Sequence, residues 1–400
     1  MVRRQKSGLG WVVVLVAAMA MVAAACGGSS NKSSSGSTSG KTTVAFAFVG
    51  PLTGPNANLG INSRNGAAVA VKAANAAQSK YNFVLKDYDT QGDPAQAPGQ
   101  AAKYIGDNQV VAVVGPTFSG ETKAVLPSLN DAGLVMVSPS ATNVQLPTVV
   151  PNTKVFHRVI PDDDVQAQGV ASYIEKKLKP KTVALINDNS DYGKGLWDGV
   201  LKDLDAAGIK STVTDSVQPG GTDYSAAVNK VKAGNVDVVF YGGYYSDAGR
   251  LKKQLSDAGV KGTFISGDGS LDPGFIVSSG AAGGEGALIT CPCKLATTDA
   301  GGDLGKFATD YKTEWSKDAG TYSSEGFDTA NILIKGVEAG NTTRAKVLDY
   351  VNTLQTTAYT GISKSIQFET SGNVKSGDVF VYEVKGGKLT LLGSAVDLTK

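Results

Sequence analysis

Short runs rich in Val, Ile, Phe and Ala recur along the chain, and longer stretches with apolar residues three or four apart follow them. Strands are predicted at 43–48, 83–87, 111–114, 155–159, 182–186, 213–217, 236–241 and 263–266, because a strand covered on both faces reads as a continuous apolar run. Helices are predicted between them, near 61–77, 94–107, 121–132, 165–178, 194–207, 224–233 and 247–258. Repeated strand–helix units imply parallel sheets with helices on both faces. About ten strands before residue 300 exceed one comfortable sheet, so the expected class is α/β with two lobes, each with its own core. Past residue 300 the order changes to helices at 303–315, 324–338 and 343–354, then alternating runs at 365–368, 378–384 and 388–392. Such a tail returns to lobes already built, and lobes joined by several crossings hinge around a cleft.

The stretch 111–143 organises this pattern. An apolar run breaks at Gly115, Ser119-Gly120 opens an amphipathic segment, and a second apolar run ends at Ser138. Parallel strands end on one edge, so residues 118–120 and 138–142 should lie side by side. Their hydroxyls and free N–H groups form a seat for an anion, although ordinary turn chemistry explains either loop alone. Residues 115–122, G-P-T-F-S-G-E-T, copy the glycine spacing of a nucleotide-binding P-loop. The lysine is missing, and Glu121 would meet the phosphates in its place, which argues against a nucleotide and for a single carboxylate.

The start of the chain follows a different pattern. A basic beginning, an apolar run of 15 residues from Trp11 to Ala25 and small residues before Cys26 read as a secretory signal. Ala23-Ala24-Ala25-Cys26 is similar to a bacterial lipobox, with Ala23 where leucine is usual, so Cys26 is the expected lipidation site. Residues 27–40 are almost all Gly, Ser, Thr, Asn and Lys and behave as a tether with a reach of about 20 Å. Removing Arg3, Arg4 and Lys6 with the signal takes 38 basic residues to 35 against 36 acidic ones. A near-neutral protein has no electrostatic case for nucleic acid. With 42% hydrophobic residues and 49 glycines, the remainder reads as an α/β protein with many tight turns.

In the second strand series, polar and aromatic groups follow each apolar run: residues 188–193 (D-N-S-D-Y-G), 241–245 (Y-G-G-Y-Y) and 266–269 (S-G-D-G). They fall at the carboxyl edge of the sheet, where open α/β folds bind ligands. One lobe then offers Ser119 and Thr142 to a carboxylate, and the other offers Asp268 to a cation, with tyrosines between. An α-amino acid carries that charge pair at that scale. Asp268 between glycines is equally a turn-former, and a lone tyrosine is equally a rim residue.

Here the chain resembles the leucine/isoleucine/valine-binding proteins, type I periplasmic solute receptors of ABC importers, in their lipoprotein form. The resemblance spans about 43–392 and rests on S-P-S-A-T-N (138–143), D-Y-G-K-G-L (191–196), V-F-Y-G-G-Y (239–244) and G-D-G (267–269). It implies a two-lobed fold with multiple hinge crossovers: a signal at 1–25, anchor and linker at 26–42, an N-terminal lobe of 43–159 with 292–366, and a C-terminal lobe of 160–291 with 367–400. It implies that Ser119, the backbone of Ser140 and Ala141, Thr142, Tyr244 and Asp268 hold the ligand's charged groups. Phe118, Tyr192, Tyr322 and Leu59 would form the side-chain wall. The implied ligand is a free amino acid, of branched aliphatic type, delivered to ABC permease subunits by a monomer anchored at the outer face of the membrane. The alternative is a sensor of the same fold for an amide, an organic acid or an aromatic amino acid.

The departures are Asp268 where glutamate is frequent, Leu59 where several relatives carry an aromatic, and no cysteines for the small-lobe disulfide of some relatives. No G-x-S-x-G elbow, metal-ligand cluster or histidine-based acid–base pair occurs, so neither an enzyme nor a cofactor is expected. His157, the only histidine, reads as structural. Cys291-Pro292-Cys293 falls at an implied hinge crossover and is open to three readings: a disulfide, packed thiols or a metal ligand pair.

Overall fold

The computed structural model describes residues 40–77, 80–375 and 377–400; the signal segment, Cys26 and most of the tether lie outside them. Strands β1 (Thr42–Gly50), β2 (Tyr81–Asp89), β3 (Val110–Val114), β4 (Met136–Ser138) and β5 (Phe156–Arg158) form a five-stranded parallel sheet in the order β2-β1-β3-β4-β5. Strands β6 (Val183–Asn187), β7 (Ser211–Ser216), β8 (Val238–Gly242), β9 (Thr263–Ser266) and β10 (Leu288–Cys291) enter the second sheet. The hairpin β11 (Tyr359–Thr360) and β12 (Ser365–Ile366) stands apart, and β13 (Phe380–Lys385) and β14 (Lys388–Ser394) complete the second sheet in the order β14-β13-β10-β9-β8-β6-β7. Within it β13 runs antiparallel to both β10 and β14.

The continuous apolar strands are buried on both faces because alternate residues face opposite helical layers. In β1, Val44, Phe46 and Phe48 join one core cluster, while Ala45, Ala47 and Val49 join another. In β8, Val239 and Tyr241 face one layer, and Val238 and Phe240 the other. Helices α1 (Ala57–Ala76), α2 (Ala97–Gly106) and α3 (Ser119–Asp131) cover the first sheet. The second is covered by α4 (Asp163–Tyr173), α5 (Asp191–Ala206), α6 (Ser225–Gly234), α7 (Tyr245–Asp257), α8 (Pro273–Ser279) and α9 (Ala281–Gly284). The chain then returns through α10 (Gly302–Trp315), α11 (Ser323–Glu338) and α12 (Arg344–Thr353) and ends in α13 (Ala395–Leu398). Helix α11 reaches the first sheet because glycines allow close approach: a Cβ at Gly66 would lie 1.9 Å from the Ser323 carbonyl, and one at Gly326 2.2 Å from that of Ser63.

The sequence pattern missed α8, α9 and β10, since Gly274, Gly280, Gly283, Gly284 and Gly286 interrupt any periodicity there. The first helix starts at Ala57 rather than near 61, and the helix predicted to 178 leaves α-geometry at Tyr173 and continues as a π turn, Ile174–Leu178.

Candidate functional site

The ends of β3 and β4 bring together the two loops expected to be neighbours. Ser138 Oγ donates to the Pro116 carbonyl at 2.6 Å and accepts the Ala141 N–H at 2.9 Å. Ser140 Oγ donates to the Thr117 carbonyl at 2.7 Å, and the Asn143 N–H donates to Ser119 Oγ at 3.2 Å. Ser119 therefore keeps its hydroxyl hydrogen for another acceptor, at the first turn of α3 where backbone N–H groups lack helical partners. The Thr142 hydroxyl is buried and has no hydrogen-bond partner among the described residues.

Arg158, at the end of β5, holds this loop from behind. Its fully buried guanidinium donates from Nη1 to the carbonyls of Ala141 at 3.1 Å and Asn143 at 2.9 Å, and from Nη2 to Asp162 at 3.3 Å. Ala141 thus has its N–H and one carbonyl lone pair engaged within the protein, a restriction on its implied backbone role.

The second wall is built from the ends of β6, β8 and β9. Tyr192, in the first turn of α5, donates its phenol to Asp268 Oδ1 at 2.6 Å and accepts the Gly269 N–H at 2.9 Å. Tyr322 donates to Asp268 Oδ2 at 2.6 Å from the segment entering α11. Its φ of +67° is a left-handed conformation unusual for a tyrosine, one found where surrounding structure holds a functional group in place. Tyr244 stacks on Phe118 across the cleft, centroids 4.3 Å apart, and tilts against Tyr192 at 5.0 Å. Phe118, Ser119, Ser140, Tyr192, Tyr244 and Tyr322 all line one cavity of about 10 Å³. Thr142 and Asp268 do not line it, though two of its tyrosines, Tyr192 and Tyr322, bond to Asp268, and Leu59 packs in the apolar cluster that contains Phe118 and Tyr322.

Sequence reasoning missed Asp163. This first residue of α4 is fully buried; its N–H donates to the Thr142 carbonyl at 2.9 Å, yet neither carboxylate oxygen has a hydrogen-bond partner among the described residues. Burial, and then the negative charge of Asp268, push its pKa well above the carboxylate range; the Thr142 hydroxyl, close by but outside hydrogen-bonding geometry, and the Arg158 charge oppose them. Asp268 is raised by burial too, opposed by the two phenols that donate to it. A Cβ at Gly195 would lie 3.3 Å from Asp163 Oδ2, so the helix opposite leaves this carboxylate room. An unpaired buried carboxylate beside a bonded one makes an environment that favours a cation. Among the described residues no group of three or more His, Cys, Asp or Glu side chains could hold a metal ion.

Glu121 is not an exposed barrier but a buried support for the loop before α3. It accepts from the Thr90 hydroxyl and, at 3.0 Å, from the Phe118 N–H. Burial drives its pKa from 4.5 to about 7. A carboxyl raised in the fold stabilises the protein fully below its unfolded pKa, and that contribution is lost as pH rises from about 4.5 to 7. The difference is worth about 3 kcal/mol. Glu121→Gln keeps an acceptor without the charge, so urea unfolding is expected to show a variant more stable than wild type at pH 8 and little different at pH 4.5.

His157 is buried, with its pKa lowered by desolvation to about 4, and its ring lies 4.8 Å from Phe368, in keeping with a structural role. The sulfurs of Cys291 and Cys293 are bonded, and both residues are buried at the end of β10 where the chain leaves the second sheet.

Residues 43–388 match the family model described as periplasmic binding protein. A Leu/Ile/Val-binding protein of Rhizobium johnstonii is 34% identical over 86% of this chain and 93% of its own length. The leucine-, isoleucine-, valine-, threonine- and alanine-binding protein of Pseudomonas aeruginosa is 30% identical over 85% and 90%. The branched-chain amino acid transporter substrate binding protein of Streptococcus pneumoniae, solved with isoleucine, superposes with a TM-score of 0.80 at 23% identity, covering 88% of this chain and all of that one. No helix among the described residues is long and apolar enough to cross a membrane. Mainly parallel sheets flanked by helices, and a family match that runs over residues 43–388, make this chain a member of the periplasmic binding protein family.

Proposed function

We propose that this chain is the extracytoplasmic receptor of an ABC importer and binds a free amino acid with a branched aliphatic side chain between two closing lobes. The observation that carries the reading is the pairing of two hydroxyls, Ser119 at the start of α3 and Thr142 on the loop after β4, with two adjacent buried carboxylates, Asp163 and Asp268. Ser119, the N–H groups at the start of α3 and the Thr142 hydroxyl take the ligand carboxylate, while the N–H groups of Ser140 and Ala141 are held by Ser138 Oγ. Asp163 and Asp268 take the ammonium, and Phe118, Tyr192, Tyr244 and Tyr322 enclose the side chain, with Leu59 behind them. The names of the Rhizobium and Pseudomonas relatives support the ligand class.

The lobes are 43–159 with 292–366 and 160–291 with 367–400, a division supported by the separate sheets and by α11 and α12 sharing a core with β1, except that Phe368 and Val374 also pack in that core, so the last crossing lies beyond Val374. The rings fill the space between the walls, so entry of an amino acid requires the walls to part and the rings to turn. The protein acts as a monomer, tethered through lipidated Cys26 after loss of residues 1–25, and hands its ligand to permease subunits. Two or three hydrogen bonds to charged groups at about 1.5–3 kcal/mol each and a buried aliphatic side chain at about 1.5–3 kcal/mol offset closure and leave a complex near 8 kcal/mol, which is micromolar.

A thermal-shift screen tests the reading on protein refolded from denaturant to strip bound ligand. Leucine, isoleucine or valine at about 100 times Kd should add about 2.7 kcal/mol of stability, and no shift with any of the twenty amino acids would refute the proposal.

A further inference from the structure

Away from the cavity, one flank of the cleft is closed by a cluster of polar contacts whose hydrogen bonds go to none of the ligand-facing side chains. Asn58, in the first turn of α1 on the first sheet, donates its side-chain amide to Asp272 Oδ1 at 2.8 Å. Asp272 belongs to the second sheet's side, where its Oδ1 also accepts the Gly274 N–H at 2.7 Å and so caps α8. The same face of α1 brings the Asn58 N–H to 3.4 Å from the Tyr245 hydroxyl, and Asn56 Oδ1 to 3.3 Å from the Ser246 N–H at the start of α7. Beside them the Thr321 hydroxyl donates to the Leu271 carbonyl.

Asp272 is 1% exposed, and the groups that reach it from the opposite wall are neutral amides, Asn58 first and Asn62 of the same helix beside it. Parting the walls would break the Asn58 bond and hydrate the carboxylate, so the contact counts only when the cleft is shut. The other flank differs: Lys123 of α3 pairs with Asp191 of α5 at 2.7 Å, with side chains 48% and 34% exposed, a geometry worth little in water.

We propose that Asn58 and Asp272 form a closure latch that holds the walls together with or without ligand and so sets ligand affinity without touching the ligand. They are positioning residues: their bond moves the balance between open and closed forms, and affinity follows the closed fraction. The effect on affinity rests on the amino-acid reading above; the effect on shape does not.

Asn58→Asp sets two carboxylates against each other across the flank. Adding Asp272→Asn restores an amide–carboxylate pair with the roles exchanged and leaves an acceptor for the cap of α8. Small-angle scattering of the ligand-free full chain and calorimetric titration with L-leucine are read on wild type, N58D and N58D/D272N. N58D is expected to have a larger ligand-free radius of gyration and leucine affinity weaker by about 10- to 100-fold, the range for losing a hydrogen bond to a charged group. The double variant should recover most of both. Lys123→Ala should weaken leucine by less than about fivefold, as for an exposed pair. A ligand-free radius for N58D equal to that of wild type, or a double variant no better than the single one, overturns the latch. Absence of leucine binding by wild type overturns the amino-acid reading, and the scattering comparison then decides the latch alone.

Discussion

Asp163→Asn should make the ligand-free protein more stable and a poorer binder. The wild-type carboxylate is buried, has no hydrogen-bond partner among the described residues and stands beside Asp268. Its charge is therefore a cost in the empty fold, relieved only by a cation. Because its folded pKa is raised, stability is complete below the unfolded value near 4 and declines as pH rises. The gain from the amide should accordingly be small near pH 4 and of the order of 1–3 kcal/mol at pH 8. Binding should move the other way. Loss of a charge-assisted hydrogen bond to the ammonium costs about 1.5–3 kcal/mol, or roughly 10- to 100-fold in Kd. Urea unfolding at two pH values and calorimetry on one preparation read both signs. A variant that is less stable and binds as wild type does would assign Asp163 to the scaffold.

Asp268→Ala should lower both quantities. Its two oxygens each accept a phenol at 2.6 Å, from Tyr192 and Tyr322, so truncation leaves two buried hydroxyls without their acceptor, at about 1–3 kcal/mol apiece. Removing a partner from the ligand ammonium costs roughly 2–5 kcal/mol of affinity. The two acidic residues thus share an effect on binding and differ in sign on stability, a contrast that a general loss of folding would not produce. Unchanged affinity in Asp268→Ala, measured by calorimetry on folded protein, would leave Asp268 as a turn residue whose carboxylate orders two tyrosines.

Much of this was legible in the order of residues. Strands such as β1 and β8 announced themselves because a strand covered on both faces cannot alternate, and their polar ends pointed to one sheet edge. The pairing of the loops at Ser119 and Ser138 followed from parallel strand geometry. What escaped has physical causes. The region around α8, α9 and β10 is broken by glycines that erase periodicity. Asp163 stands in the run Asp162-Asp163-Asp164 at a helix start, where acidic residues are ordinary company for the helix dipole, and burial alone distinguishes it from its neighbours. Arg158 did leave a signal: a cation within the apolar stretch 155–160 must be paired once buried, and its partners include the carbonyls of Ala141 and Asn143 and the Asp162 carboxylate. Glu121, which the glycine spacing sets where a phosphate-binding lysine would stand, turns inward to Thr90 and the Phe118 N–H. The latch depends on Asn58 and Asp272, which are 214 residues apart, a separation at which no sequence period operates.

The central claim is that the cleft recognises an ammonium and a carboxylate together. Calorimetric titration of the stripped protein with L-leucine and with 4-methylpentanoate, the same skeleton without the amino group, tests it most directly. The account predicts micromolar binding of leucine and at least about 100-fold weaker binding of the acid, as expected when a buried charge partner goes unmatched. Equal affinity for the two would contradict it and remove Asp163 and Asp268 from ligand recognition.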